Sequence, residues 1–137
     1  MILNRECDYS LRVFRSLANG DKKTVEEICQ DESIPEPFAY KLLKKLEKSG
    51  FLKSFRGRGG GYQLKKELHT FTILDVIRTI NPNLYFFECL RKEDECPNKT
   101  GKNPCKIHDF LKETQNVLTN QITSLTLHDI LQQEGAV

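Results

Sequence analysis

A chain of 137 residues, 38% hydrophobic and 29% charged, has the size of one compact domain, or of one domain with an added docking helix. No apolar run reaches the ~18 residues that span a bilayer, and Met1 to Glu6 lacks the apolar core of an export signal, so no membrane association and a cytoplasmic location are expected. The net charge of +2 excludes a uniformly basic nucleic-acid protein but leaves room for a locally basic one.

The first predicted helix covers Asp8 to Ala18, where Ser10, Val13, Phe14, Leu17 and Ala18 recur with the 3.6-residue period. Gly20 ends it. Thr24 to Glu27 is a capping box and opens a short helix to Gln30 that buries Val25 and Ile28. Cys29 lies inside it and is expected as a small buried hydrophobe. Asp31 to Ile34 is expected to turn. A third helix starts within Pro35 to Pro37, because proline is tolerated in a first turn, and runs to Lys48. Ala39, Leu42, Leu43 and Leu46 share its inner face. Tyr40, Lys41, Lys44, Lys45 and Lys48 share the outer one. Two short helices with a tight turn, the second basic outside, form a helix-turn-helix.

Phe51 to Arg56 is strand-like, Gly57 to Gly61 forms a loop, and Tyr62 to Leu64 returns, which makes a hairpin. From Lys41 to Lys66 there are nine lysines and arginines against one acid, Glu47, so the rest of the chain is net acidic. Such a local field suits a polyanion, although a solvated basic face is the plain alternative. Arg56 and Arg58 at the hairpin tip suit a narrow minor groove. Thr72 to Asp75 is a second capping box, opening a helix through Ile80. Residues 84 to 105 have no period and carry Pro97, Gly101 and Pro104. A long amphipathic helix follows from Ile107 to Ser124, with Ile107, Phe110, Leu111, Val117, Leu118 and Ile122 as its apolar positions and Leu125 just beyond its end. Thr126 to Asp129 opens a last short helix before Gly135.

The expected fold is therefore mostly α with a small β-hairpin wing: a winged helix-turn-helix plus a long C-terminal dimerisation helix. The expected divisions are a DNA-binding unit at 1–83, a cysteine-bearing loop at 84–106, and a dimerisation helix with its tail at 107–137. No nucleophile, base and orienting group occur together, and the glycines match no phosphate-cradling fingerprint, so an enzyme is not expected.

Three stretches resemble the BadM/Rrf-type winged-helix regulators of bacteria. Cys7-Asp8-Tyr9-Ser10-Leu11-Arg12 is similar to the opening helix, above all of the nitric-oxide-sensing NsrR branch. Arg56-Gly57-Arg58-Gly59-Gly60-Gly61-Tyr62-Gln63-Leu64 is similar to the family's wing signature. The three cysteines before the long helix resemble those of the cluster-binding members, NsrR and IscR. The resemblance spans almost the whole chain and implies a homodimer on a palindromic site in double-stranded DNA. It places Pro37, Tyr40, Lys41, Lys44 and Lys45 against the major groove and phosphates, and Arg56, Gly57 and Arg58 at the minor groove. Tyr40 stands where IscR-like members carry a base-reading glutamate, and Pro37 replaces a hydroxyl residue, so no relative's operator carries over.

Five cysteines without an export signal argue against a disulfide framework. Cys89, Cys96 and Cys105 lie in the irregular loop, where thiolates can converge on an iron-sulfur cluster, [2Fe-2S] or [4Fe-4S]. The fourth position is open between His108, as in the IscR pattern, and Asp8, as in the NsrR pattern, with Glu6 and Cys7 as neighbouring substitutes. Zinc is the plain alternative, but structural zinc usually shows tight Cys pairs, which are absent here. A second expectation is a cluster-free regulator that senses through cysteine thiols or a small metabolite.

Overall fold

The computed structural model describes residues 4–83, 85–91, 98 and 105–132. Asn4 caps α1 (Arg5–Ser16), its side chain accepting from the Cys7 amide at 3.0 Å. The helix therefore starts three residues before the expected Asp8 and stops before Ala18, which is exposed rather than part of the apolar stripe. Thr24 and Glu27 form the reciprocal capping box of α2 (Val25–Glu32). This helix continues two residues past Gln30 and ends where Ser33 turns left-handed at φ 53. No glycine marks the left-handed position itself; the local stop signal is Pro35, two residues further on.

Pro35 then opens α3 (Glu36–Lys48), whose Ala39, Leu42, Leu43 and Leu46 are buried as the period requires. The hairpin pairs β1 (Leu52–Phe55) antiparallel with β2 (Gly61–Leu64), Leu52 opposite Leu64 and Phe55 opposite Gly61. A 3-10 turn at Leu68–Thr70 leads to α4 (Ile73–Ile80), capped by the expected Thr72–Asp75 box. A second 3-10 turn, Glu88–Leu90, precedes α5 (Lys106–Ser124) and α6 (Leu127–Gln132).

The core joins these elements through an aromatic triad. Phe14 of α1, Phe51 before β1 and Phe71 before α4 meet with centroids 4.8 to 5.6 Å apart, in tilted and edge-on geometries. The chain end returns to this core. Leu127 donates its amide to the Phe71 carbonyl at 3.0 Å, Thr72 bridges to Thr126, and the Leu127 side chain is buried in the cluster. An ion pair with one buried partner locks α1 to α2: the largely exposed guanidinium of Arg15 covers the buried Glu32 carboxylate, gripping it through Nε at 3.0 and 3.1 Å and through Nη2. Among the described residues every buried side-chain nitrogen and oxygen has a hydrogen-bond partner.

The wing is tied to the domain by backbone. Lys23 and Tyr62 exchange amide-to-carbonyl bonds of 2.9 and 2.8 Å, and Gln63 donates to the Gly20 carbonyl at 2.6 Å. Gly61 makes this approach possible. A side-chain carbon there would lie 2.3 Å from the Lys23 carbonyl oxygen, and its φ of +150° disfavours any other residue.

Candidate nucleic-acid interface

The exposed face of α3 and the wing share one groove of about 500 Å³. Lys44 borders it from α3, and Arg56 and Gly57 border it from the hairpin. The floor comes from Val25 at the start of α2 and from Tyr62. Burial pushes the Tyr62 phenol up from its ordinary pKa, with the negative charge of Glu47 adding to the shift. Two acids, Glu26 and Glu47, also line the groove. Lys44 and Arg56 thus lie on one side of the molecule, as the charge pattern requires. Arg58 and Pro37 are exposed, and Tyr40 projects from α3 with about half its surface free.

Lys41 and Lys45 do not stand free. The Glu6 carboxylate of α1 accepts from Lys41 Nζ at 2.7 Å and from Lys45 Nζ at 3.3 Å. These bonds, the one from Lys41 first, hold the Glu6 carboxyl below its ordinary pKa. Among the described residues no ion pair engages Lys44, Lys48, Arg56 or Arg58. Sequence reasoning missed this difference between the lysines because Glu6 lies 35 residues before Lys41. It also missed Lys22, whose ammonium sits 5.1 Å over the exposed Phe55 ring and adds a cation beside the wing. Phe38, a further exposed aromatic on α3, rests edge-on against Tyr9 of α1 at 5.7 Å.

The candidate metal ligands are less gathered. Cys89 lies half-buried in the 3-10 turn, and Cys105 lies half-buried at the N-cap of α5. The turn packs on α5, and the Phe86 amide donates to Gln115 Oε1 at 2.7 Å. Both thiols are free of disulfides. Cys96 lies outside the described residues, and so does any donor set that includes it. His108 is buried in the first turn of α5. Asp8 pairs with Arg12 at 2.9 Å, and the same Arg12 donates to the Glu32 carbonyl at 3.2 Å. Among the described residues no three His, Cys, Asp or Glu side chains converge on a metal position. Cys7 is fully buried in the core and its thiol pKa is pushed up by that burial. Cys29 is buried as expected, and burial raises its thiol too. No described helix is long and apolar enough to cross a membrane.

The family model for Rrf2, an iron-dependent transcriptional regulator, matches residues 3–133. The chain is 31% identical over 136 residues to an Aquifex aeolicus protein described as an HTH-type transcriptional regulator, across 98% of this chain and 94% of that one. It is 28% identical over 141 residues to the HTH-type transcriptional regulator NsrR of Geobacillus kaustophilus, across 100% of this chain and 94% of the relative. Two solved structures share the fold. T. potens IscR superposes with a TM-score of 0.73 at 21% identity, covering 98% of this chain and 93% of its own. CymR, the global cysteine regulator of B. subtilis, superposes with a TM-score of 0.72 at 23% identity, covering 94% and 95%. With the winged helix, the paired hairpin and a family match over nearly its full length, the chain belongs to the Rrf2 family of transcriptional regulators.

Proposed function

We propose that the chain acts as a cytoplasmic homodimer that binds a palindromic site in duplex DNA, with its affinity set by an iron-sulfur cluster. The observation that carries the DNA half is the shared groove, where Lys44 of α3 and Arg56 and Gly57 of the wing face one volume. A recognition helix and wing on one side can engage a major groove and its neighbouring minor groove together. In this reading Tyr40, Lys41, Lys44 and Lys45, with Pro37 at the helix start, meet bases and phosphates, and Arg58 joins Arg56 at the minor groove. Residues 1–83 form the DNA-binding unit, 84–106 the ligand loop and 107–137 the dimerisation helix and tail.

Dimerisation is supported by α5. Ile107, Phe110, Val117 and Leu118 share one face at helical spacing and are 39% to 71% exposed. So much apolar surface on one helix calls for a cover, and a second copy brings the same stripe to a two-fold contact.

For the cluster, the donor chemistry fits. Cys89 and Cys105 are disulfide-free, half-buried thiols on either side of the segment that carries Cys96. Those three would hold it, with His108 or Asp8 as the fourth ligand. A cluster held there supplies a centre reactive toward nitric oxide and redox change and dependent on iron-sulfur supply. Asp8 pairs with Arg12 through Oδ2, and the same Arg12 braces the end of α2 through the Glu32 carbonyl, which leaves Asp8 Oδ1 for a ligand.

The test is anaerobic purification with iron and sulfide counts, followed by DNA binding with and without the chromophore. A brown protein whose DNA affinity changes on cluster loss supports the reading. A colourless protein with peroxide-sensitive binding replaces the cluster by thiol sensing through the same cysteines. In the DNA arm, Lys44→Ala weakens all sequences alike and lowers the salt slope by about one. Arg56→Ala weakens the operator more than random DNA; equal loss on both removes its reading role.

A further inference from the structure

We propose that Glu6 lowers the DNA affinity of this chain: its carboxylate neutralises part of the charge that Lys41 and Lys45 would offer a backbone phosphate, and a duplex must compete with it for the two lysines. The inference rests on the reading above that the outer face of α3 meets DNA. It arises from a division among the lysines of that helix. Lys44 and Lys48 carry no ion pair among the described residues, whereas Lys41 and Lys45 share a single carboxylate at 2.7 and 3.3 Å.

The two kinds of group are exposed differently. The Glu6 side chain is 22% exposed, so the fold braces it, while Lys41 remains 61% exposed and turned to solvent. The backbone of the same residue is fixed as well, since Ser10 Oγ donates to the Glu6 carbonyl at 2.7 Å. Asn4, not Glu6, caps α1, so this carboxylate is not needed to start the helix. An anion that approached the Lys41 ammonium would also approach the Glu6 carboxylate and be repelled by it. Glu6 thus removes one of the two positive charges that these lysines would offer a phosphate.

The test is Glu6→Gln, which keeps the shape of the side chain and removes its charge, with Glu6→Ala as a second variant. Binding of the full chain to a mixed-sequence duplex is followed by fluorescence anisotropy across a potassium chloride series. The expected result is affinity about three- to tenfold tighter at moderate salt, the range for two exposed ion pairs. The dependence of log affinity on log salt becomes steeper by about one, because one more counterion is released. The gain disappears when Lys41→Ala and Lys45→Ala are present, since Glu6 then has no lysine to cover.

Unchanged or weaker binding by both Glu6 variants overturns the proposal. A gain that persists without the two lysines also overturns it, because bulk charge would then be the cause. If the wild-type chain fails to bind any duplex at low salt, the DNA reading itself fails and this inference falls with it. The two failures are therefore distinguishable.

Discussion

Gly61→Ala should damage both stability and DNA binding, and the structure gives the size of the effect. The added methyl would lie 2.3 Å from the Lys23 carbonyl oxygen and 2.7 Å from the carbonyl carbon. Both atoms are backbone, so no side-chain rotation relieves the clash. The strand must move away from the turn between α1 and α2, which breaks the 2.9 and 2.8 Å bonds between Lys23 and Tyr62. Two backbone bonds contribute about 2 kcal/mol together. If the backbone instead stays, an L-residue at φ +150° costs roughly 1–3 kcal/mol of strain, with the clash on top of it. The loss is therefore about 3 kcal/mol, a large share of the ~5–15 kcal/mol that holds a domain of this kind folded.

Gly59→Ala is the matched comparison. Its φ of +72° is also left-handed, but a methyl there meets only Lys22 Nζ at 3.9 Å, a flexible tip. It should cost about 1 kcal/mol. Urea denaturation of the two variants gives the difference, expected near 2 kcal/mol, and anisotropy with duplex DNA gives the functional loss. Release of the wing carries Arg56 and Arg58 away from α3, so Gly61→Ala should lose DNA affinity while Gly59→Ala largely keeps it. Equal destabilisation by the two substitutions would refute the claim that close backbone contact at Gly61 anchors the wing.

Further expectations concern other links in the fold. Arg15→Ala takes from the buried Glu32 carboxylate the guanidinium that covers it; because Arg15 is itself 61% exposed, the loss should be about 1–2 kcal/mol. Adding Glu32→Gln should recover part of that loss in denaturation curves; strictly additive effects would show that the pair is not coupled. Phe110→Glu should shift the chain toward monomer in sedimentation while leaving monomer stability within about 0.5 kcal/mol, because Phe110 is exposed on α5. An unchanged sedimentation coefficient would remove α5 from the dimer contact. Asp31 is held below its ordinary pKa by its bond from Lys23, then by that from Ser16, and Asp129 likewise by Thr126. Depressed folded-state values mean that their stabilisation is present above the unfolded value of about 3.9 and is lost as pH falls through the folded one. Asp31→Asn should therefore flatten the acid side of a stability–pH profile, and an unaltered acid limb would show the Lys23–Asp31 bond to be of no consequence.

Local signals carried most of the fold. The period of Leu42, Leu43 and Leu46 fixed the inner face of α3, the boxes at Thr24 and Thr72 fixed two helix starts, and the glycines at 57 to 61 fixed the hairpin. Each depends on residues a few positions apart, which is the range over which backbone hydrogen bonding and side-chain spacing act. α1 starts ahead of its apolar stripe because its cap is Asn4, and α2 runs past Gln30 because its left-handed stop is Ser33 rather than a glycine.

The sequence alone determined that a basic helix is followed by a glycine-rich hairpin and, later, by a long apolar-striped helix. It could not say which lysines of the basic helix stay available. That was decided when α1 came to lie beside α3 and set Glu6 between Lys41 and Lys45, and when the turn before α2 carried Lys22 against Phe55. Electrostatic partners are chosen by distance in space. Contacts that span 35 and 39 residues leave no trace in periodicity, so only the packed tertiary structure shows which charges are already answered.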